Sequence, residues 1–157
     1  MKPNIGISEK RLKNSSALLS DVLANEMILY VKTRKAHWNV SGESFMELHK
    51  LYENHYKQLE LIIDEIAERI GKLGHKTIGT MNEFLKLASI SESPNKYSGS
   101  KDTIKELLQN HETLIIQLRK NVEESAEINK DAGTADFLTG IMEEHETITW
   151  ILRRYLN

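Results

Sequence analysis

The predicted architecture rests on residues 45–70, which read FMELHKLYENHYKQLELIIDEIAERI. The apolar residues recur at steps of three and four, a spacing that lines side chains along one face of an α-helix. The positions on this face are Phe45, Leu48, Tyr52, Tyr56, Leu59, Ile63, Ile66 and Ile70. Because such a face must pack against other helices, the stretch predicts a central helix of a bundle. Ser44 with Glu47 has the pattern of a capping box at its start, and Gly71 and Gly74 are placed to end it.

The same periodicity predicts three more long helices and a short one. They run from about Ser8 to Ala36, Met81 to Ala88, Lys101 to Ser125 and Thr134 to Tyr155, and Thr80 with Glu83 forms a second capping-box pattern. The connection between the second and third long helices is long enough to cross the bundle. We therefore expect an all-α, ferritin-like four-helix bundle with one long crossover that carries the short helix. It forms a single domain over residues 1–157, with 1–7 as a flexible tail.

The composition limits the kinds of protein that fit. The chain has no cysteine, which excludes a disulfide framework and thiolate metal sites. With 21 basic and 23 acidic side chains the formal charge is −2, which argues against a protein that holds nucleic acid by a basic surface alone. No apolar run is long enough to span a membrane, and the first residues lack the apolar segment of a secretory signal. A cytoplasmic location is therefore expected.

The six histidines restrict the metal chemistry. Di-iron bundles use Glu-x-x-His on two helices, but no histidine here has Glu three residues before it. His-Glu-x-x-His is absent as well, which argues against a zinc protease. His145 lies on the apolar face of the last helix, so we expect a buried, hydrogen-bonded imidazole. His55, His75 and His111 are expected on the surface.

Two histidines and two acids remain as candidate metal ligands: His37, His49, Asp64 and Glu68. Imidazole and carboxylate donors together suit ferrous iron and similar divalent metals. However, His49 and Asp64 are separated along one helix by about 22 Å at 1.5 Å per residue. One alternative is that the four residues form no common site, the two acids being a solvated face and His49 a surface residue. The other is that a second chain supplies half of the site. An antiparallel copy of the helix, crossing near residues 56 to 58 on a twofold axis, would complete the site.

The sequence resembles the Dps family, the mini-ferritins also called DNA-binding proteins from starved cells. The matching motifs are His37-Trp38, Gly42, Leu48-His49, Asp64-Glu65-Ile66-Ala67-Glu68-Arg69 and the C-terminal stretch 134–156. The resemblance covers nearly the whole chain. It implies a hollow homododecameric shell, with ferroxidase sites at twofold interfaces between subunits. We expect such an interface to bury Trp38, Tyr52 and Tyr56.

The resemblance also implies the roles of individual residues. The iron ligands are His37, His49, Asp64 and Glu68, with Glu53 as an additional ligand. Trp38 occupies the place of an aromatic residue that takes up oxidising equivalents, and its alternative role is packing at the interface. The implied reaction is oxidation of Fe(II), with hydrogen peroxide preferred over oxygen, followed by storage of ferric iron in the cavity. Such a protein would both store iron and protect against oxidative stress.

Further acids are expected to guide iron into the shell. In the family, acids near the start of the last helix line pores on threefold axes, and the corresponding residues here are Glu127, Asp131 and Asp136. Their alternative role is turn and helix N-terminus chemistry, which also favours acids. Candidates for the inner surface are Glu53, Glu60, Glu143 and Glu146.

A competing function is DNA compaction, because some family members bind DNA through lysine-rich tails. Lys2, Lys10, Arg11 and Lys13 against Glu9 give the first fourteen side chains a charge of +3. The overall charge of −2 opposes DNA, which makes DNA the less favoured partner. A helical interaction module without metal would leave the four candidate ligands unexplained.

Overall fold

The computed structural model describes residues 3–156, which form helices and no strand. The helices are α1 (Glu9–Asn39), α2 (Phe45–Lys72), α3 (Met81–Leu87), α4 (Ser100–Glu123) and α5 (Ala132–Arg154), with a π-helical turn at Glu124–Ile128. The main packing pairs are α1 with α2 and α4 with α5, while α1 also contacts α3 and α4. This is the predicted ferritin-like bundle, in which the crossover between α2 and α4 carries α3. None of these helices is long and apolar enough to cross a lipid bilayer.

The bundle core consists of the apolar faces that the sequence predicts. Its fully buried members include Leu19, Leu59 and Leu114. Tyr52 is 0% exposed and Tyr56 is 9% exposed within their own chain. The expectation that a subunit interface would bury these two tyrosines is therefore wrong, because the bundle itself already covers them.

The two predicted capping boxes have different outcomes. At α3, the Thr80 hydroxyl accepts a hydrogen bond from the Glu83 N–H at 3.3 Å, and the Glu83 carboxylate accepts one from the Thr80 N–H at 2.9 Å. At α2, the Ser44 side chain makes no capping bond. The Glu47 carboxylate instead accepts a hydrogen bond from the Tyr155 hydroxyl at 2.7 Å. The capping box predicted at α2 is wrong, because the Glu47 carboxylate bonds to Tyr155 instead of the helix N-terminus.

The end of α2 lies two residues further along than its first glycine indicates. The helix continues through Gly71 to Lys72, and the left-handed turn comes at Gly74, where φ is 84°. A Cβ at Gly74 would lie 2.5 Å from Cδ of Pro3. Only glycine fits here, because the position needs a positive φ and Pro3 packs directly against it.

A buried asparagine fixes the crossover to the bundle. Asn25 is 1% exposed, and its amide nitrogen donates to Gln117 Oε1 at 2.7 Å. Its amide oxygen accepts from the backbone N–H groups of Ser89 and Ile90, both at 2.9 Å. One side chain thus satisfies backbone donors that the connection would otherwise bury unpaired. The crossover is held in one path along α1 and α4.

Candidate metal centre

Two histidines from neighbouring helices form a stacked pair at one end of the bundle. His37 lies in the last turn of α1 and His49 in the second turn of α2, and their ring centroids are 3.8 Å apart with an interplanar angle of 21°. Nδ1 of His37 lies 2.8 Å from the carbonyl oxygen of His49, and Nδ1 of His49 lies 3.0 Å from that of His37. Because a carbonyl oxygen only accepts, each Nδ1 carries a proton, and in the neutral imidazole the lone pair then lies on Nε2. This is the arrangement in which histidines bind metals.

Aromatic rings pack on both sides of the pair. The ring centroids of Phe45 and His49 are 5.0 Å apart, and the rings of Tyr56 and His37 form a T-shaped contact with centroids 5.2 Å apart. The Arg34 guanidinium covers the Tyr56 ring at 4.2 Å from its centroid. We did not predict these supports from the sequence, although Phe45, His49 and Tyr56 follow one another at the four- and seven-residue steps of one helix face. The packing limits the rotation of both imidazoles.

The two candidate acids lie on the exposed face of α2, far from the histidines. Asp64 and Glu68 are both exposed, and Glu68 forms only a loose ion pair with Lys72 at 3.5 Å. Over residues 3–156 of one chain, no group of three or more His, Asp or Glu side chains is placed to hold a metal ion. A single chain therefore carries two separate pairs of candidate ligands.

Large apolar side chains near both pairs are exposed. Trp38 is 66% exposed, Met46 is 72% exposed, and Leu61, which precedes Asp64 by one helical turn, is 67% exposed. Exposed apolar surface next to polar groups is typical of a surface that associates with another chain. Trp38 is thus next to His37 in sequence and open to solvent in the single chain.

Glu53, the predicted additional ligand, follows His49 by one helical turn. Its carboxylate accepts hydrogen bonds from Lys50 at 2.8 Å and from Lys57 at 2.5 Å. These two ammonium groups lower the pKa of Glu53 to about 2, the larger share coming from Lys50. Glu53 is therefore ionised at neutral pH, and a metal ion would compete with two lysines for it.

The predicted pore acids do not share one environment. Asp131 is 1% exposed and caps α5, since its carboxylate accepts from the N–H of Thr134 at 3.0 Å and from the Thr134 hydroxyl at 2.6 Å. Burial alone would raise the pKa of Asp131, but these bonds and the charge of Arg69, 3.3 Å away, lower it. Asp131 thus has the helix-capping role that was its alternative. Glu127 and Asp136 are exposed.

The acids predicted for the inner surface lie on α2 and α5. Glu60 and Glu143 are exposed, whereas Glu146 forms an ion pair with Arg119.

Two of the remaining histidines are more buried than the sequence predicted. His145 is 0% exposed and hydrogen-bonded to Glu26 at 2.8 Å, which confirms its predicted core position. His55 is 4% exposed and His111 is 1% exposed, so their expected surface positions are wrong. Both residues continue the apolar face of their helix, and this position outweighs their polarity.

Comparison with known proteins agrees with the fold. The model of the ferritin-like domain family matches residues 16–157. A low temperature-induced protein of Nostoc sp. (strain PCC 7120) is 44% identical over 153 residues, which are 98% of this chain and 86% of that protein. DNA protection during starvation protein 2 of Bacillus anthracis is 34% identical over 140 residues, or 89% of this chain and 94% of that protein.

The solved structures give the same relationship. The crystal structure of a DPS protein from Vibrio cholerae O1, described as a member of a broad superfamily of ferritin-like diiron-carboxylate proteins, matches with a TM-score of 0.92 at 31% identity. The match covers 99% of this chain and 97% of that one. The chain therefore belongs to the ferritin-like family and, within it, to the Dps proteins.

Proposed function

We propose that this protein is a mini-ferritin that oxidises Fe(II) at sites shared between two chains and stores the ferric product inside a closed homododecamer. The observation that carries the proposal is the His37–His49 pair, in which two backbone carbonyls hold both imidazoles by Nδ1, so that the lone pair of each neutral ring lies on Nε2. The relatives named for starvation protection, and the one described as a diiron-carboxylate protein, support iron storage and protection against oxidative stress.

Each site takes His37 and His49 from one chain and Asp64 and Glu68 from a second. The support is geometric: coordination needs donor atoms about 2.0 to 2.2 Å from the ion, whereas the two pairs in one chain are separated by about 22 Å. The second copy of α2 runs antiparallel and crosses the first near residues 56 to 59, beside the exposed Leu61. Sedimentation should give an oligomer, and a stable monomer at micromolar concentration would contradict the shared site.

The reaction balances with peroxide as the oxidant. Two ferrous ions each lose one electron, the O–O bond of hydrogen peroxide breaks, and two protons are taken up to give two waters. The imidazole Nε2 atoms and the carboxylates supply lone pairs and negative charge, which favour the more highly charged ferric ion. The preference for peroxide over oxygen follows from the resemblance, and stopped-flow oxidation with each oxidant tests it.

A mixing experiment tests the sharing of ligands directly. His49→Ala and Asp64→Asn should each abolish most Fe(II) oxidation. Shells reassembled from both variants should regain part of it, because some interfaces then contain one site with all four ligands. The matched control is His75→Ala, a half-buried histidine beyond α2, which should keep full activity. If mass spectrometry proves subunit exchange and no activity returns, the ligands are not shared between chains.

Trp38 has two proposed roles, and one substitution separates them. Trp38→Phe keeps an apolar aromatic ring for packing but removes the indole that is most easily oxidised. Unchanged assembly with slower or less complete peroxide consumption would support the role in taking up oxidising equivalents. Unchanged kinetics would leave interface packing as its role.

We further propose that Glu127 and Asp136 belong to the entry path for iron. Of the three predicted pore acids, we keep these two because they are exposed. Asp131 instead caps the N-terminus of α5. Exposed carboxylates concentrate cations by electrostatic attraction. Changing Glu127→Gln and Asp136→Asn together should slow iron uptake and leave assembly intact. Unchanged uptake kinetics would remove both residues from the path.

DNA compaction is not proposed as the function of this chain. Lys10, Arg11 and Lys13 lie within α1 rather than in a tail, and Lys2 lies outside the described residues. The formal charge of −2 also opposes binding to phosphate.

A further inference from the structure

A cavity of about 140 Å³ lies between the end of α1, the beginning of α4 and the crossover segment that precedes α4. Its lining residues fall within 32–41, 93–100 and 103–107, and Tyr52 reaches it from α2. A single water molecule needs only about 10–15 Å³ of such space, so the cavity has room for a larger molecule. None of the candidate iron ligands lines it.

The lining of this cavity carries more positive than negative charge. The ammonium groups of Lys32, Lys35 and Lys96 face one carboxylate, that of Glu106, which leaves a formal charge of +2. The carboxylate is already paired, since it lies 2.8 Å from Lys32 and 3.2 Å from Lys96. Lys35 donates to the carbonyl oxygen of Ser93 at 2.6 Å and forms no ion pair within residues 3–156. The charge therefore favours an anion as occupant.

The first turn of α4 adds N–H donors to the same cavity. Gly99 is the N-cap of this 24-residue helix, and no side-chain hydrogen bond caps it. Gly99, Ser100 and Thr103 all line the cavity. The first N–H groups of a helix have no partner within the helix, and together with the helix dipole they attract anions. The start of α4 thus strengthens the preference that the lysines establish.

The Tyr52 hydroxyl is a buried polar group for which the described part of the chain supplies no partner. Tyr52 is 0% exposed, and its hydroxyl makes no hydrogen bond. The other lining residues belong to α1, α4 and the segments next to them, so Tyr52 reaches the cavity from α2 with the hydroxyl end of its side chain. Burial raises the pKa of Tyr52 to about 12, so the hydroxyl keeps its proton. An acceptor in the cavity would satisfy this donor.

We propose that this cavity binds phosphate, either as the free anion or as the phosphate group of a small monoester. Lys35 and the first N–H groups of α4 balance its charge, and the Tyr52 hydroxyl donates to one of its oxygens. Phosphate fits this set because it offers several acceptor oxygens and up to two negative charges. A carboxylate has only two oxygens and one charge, and it would leave part of the set unused. The site is independent of the proposed iron chemistry.

Titration calorimetry of the assembled, iron-free protein with inorganic phosphate tests the site. The wild type should bind one phosphate per chain, and acetate at the same ionic strength should bind at least about 10-fold more weakly. Lys35→Gln should weaken phosphate binding by about 10-fold or more, because it removes a charged donor. Lys105→Gln is the matched control, since Lys105 is exposed on α4 and does not line the cavity. It should leave phosphate binding unchanged.

Tyr52→Phe separates a ligand contact from a structural role. The substitution keeps the ring in the core and removes only the hydroxyl, so without phosphate the variant should melt at or above the wild-type temperature. A ligand that binds only the folded state raises the melting temperature, and saturating phosphate should raise that of the wild type more than that of the variant. A melting temperature lowered equally with and without phosphate would give the hydroxyl a purely structural role and remove it from the site.

A second titration, with phenyl phosphate, identifies the source of the phosphate. Tighter binding than that of inorganic phosphate would assign the site to a phosphorylated small molecule, and equal or weaker binding would assign it to the free anion. The proposal is overturned if the wild type binds neither compound saturably, or if acetate binds as tightly as phosphate. It is also overturned if folded Lys35→Gln and Tyr52→Phe variants bind phosphate as tightly as the wild type.

Discussion

The chain contains two pairs of histidines that lie in contact, and the ring nitrogens of the two pairs have different hydrogen-bond partners. His37 and His49 each donate Nδ1–H to the other's backbone carbonyl and stack at the end of the α1–α2 pair. His111 and His145 bond to each other through Nδ1, and His145 bonds on to the buried Glu26. The first pair is half-exposed and the second is at most 1% exposed.

The difference shows what makes a histidine pair available to a ligand from solution. A backbone carbonyl accepts a hydrogen bond from one nitrogen, so the lone pair of the neutral ring lies on the opposite nitrogen. In the core pair, Nδ1 bonds to the partner histidine instead, and the two rings belong to a hydrogen-bond network inside the protein. Location then decides the role: the surface pair should matter chiefly for chemistry and the core pair chiefly for stability.

The largest expected effect is on catalysis at the surface pair. His37→Ala should slow peroxide-dependent Fe(II) oxidation by at least about 10- to 100-fold, the range seen when even a supporting partner of a metal ligand is lost. His111→Gln should keep the rate within a factor of about two, because it lies outside the shared site. Stopped-flow absorbance at a fixed iron-to-chain ratio measures both. If both variants lost the same fraction of the oxidation rate, the surface pair would have no special role in catalysis.

The next effect is on stability, at the core pair. Glu26→Leu removes the acceptor of the buried His145 N–H, and an unsatisfied buried donor costs about 1–3 kcal/mol. Glu26→Gln keeps an acceptor oxygen of similar shape and should cost less. Calorimetric melting of both variants at pH 7.5 measures the difference. A Leu variant that melts with the wild type would mean that His145 finds another partner.

The core pair should also make stability depend on pH. The folded pKa of His111 lies well below its ordinary value of 6.5, so the unfolded chain binds this proton more readily as the pH falls. The contribution of His111 is therefore complete above about pH 6.5 and decreases below it, by at most about 1.4 kcal/mol per pH unit. Denaturant titrations of metal-free protein between pH 7.5 and 5 should show this slope. His111→Leu should make it shallower, and an unchanged slope would assign the effect to other groups.

The smallest effect is on stability at the surface pair. His49→Ala should change the free energy of unfolding by less than about 1 kcal/mol, because both histidines are only partly buried and the carbonyl of His37 can bond to water instead. Urea denaturation followed by circular dichroism measures this change. A cost comparable to that of Glu26→Leu would show that the surface pair also holds the bundle together.

The sequence was sufficient to predict the bundle, because apolar spacing determines which helix faces pack. It also placed His37 and His49 together through the Dps resemblance and the short connection between their helices. The supports of this pair, Phe45, Tyr56 and Arg34, were not predicted, since ring packing depends on how two helices meet.

Two of the three buried histidines, His55 and His111, were expected on the surface although a signal for burial was present. The spacing of an apolar helix face is kept in both cases: by steps of four, three and four in Leu107, His111, Leu114 and Leu118, and by steps of three and four in Tyr52, His55 and Leu59. The expectation of surface positions follows from the polarity of histidine and neglects its place on the apolar face. The π-helical turn at Glu124–Ile128 was not predicted either, because its shifted hydrogen bonds have no simple residue pattern.

The reciprocal carbonyl bonds of the surface pair have a consequence for folding. Each imidazole is held by the backbone of the other residue, and only twelve positions separate the two along the chain. Closing so short a loop costs little chain entropy, and it belongs to the local contacts that form early in helical proteins. We therefore expect the two imidazoles to pair when the first two helices meet. A newly made chain would then hold both imidazoles in place by the time it meets a second copy.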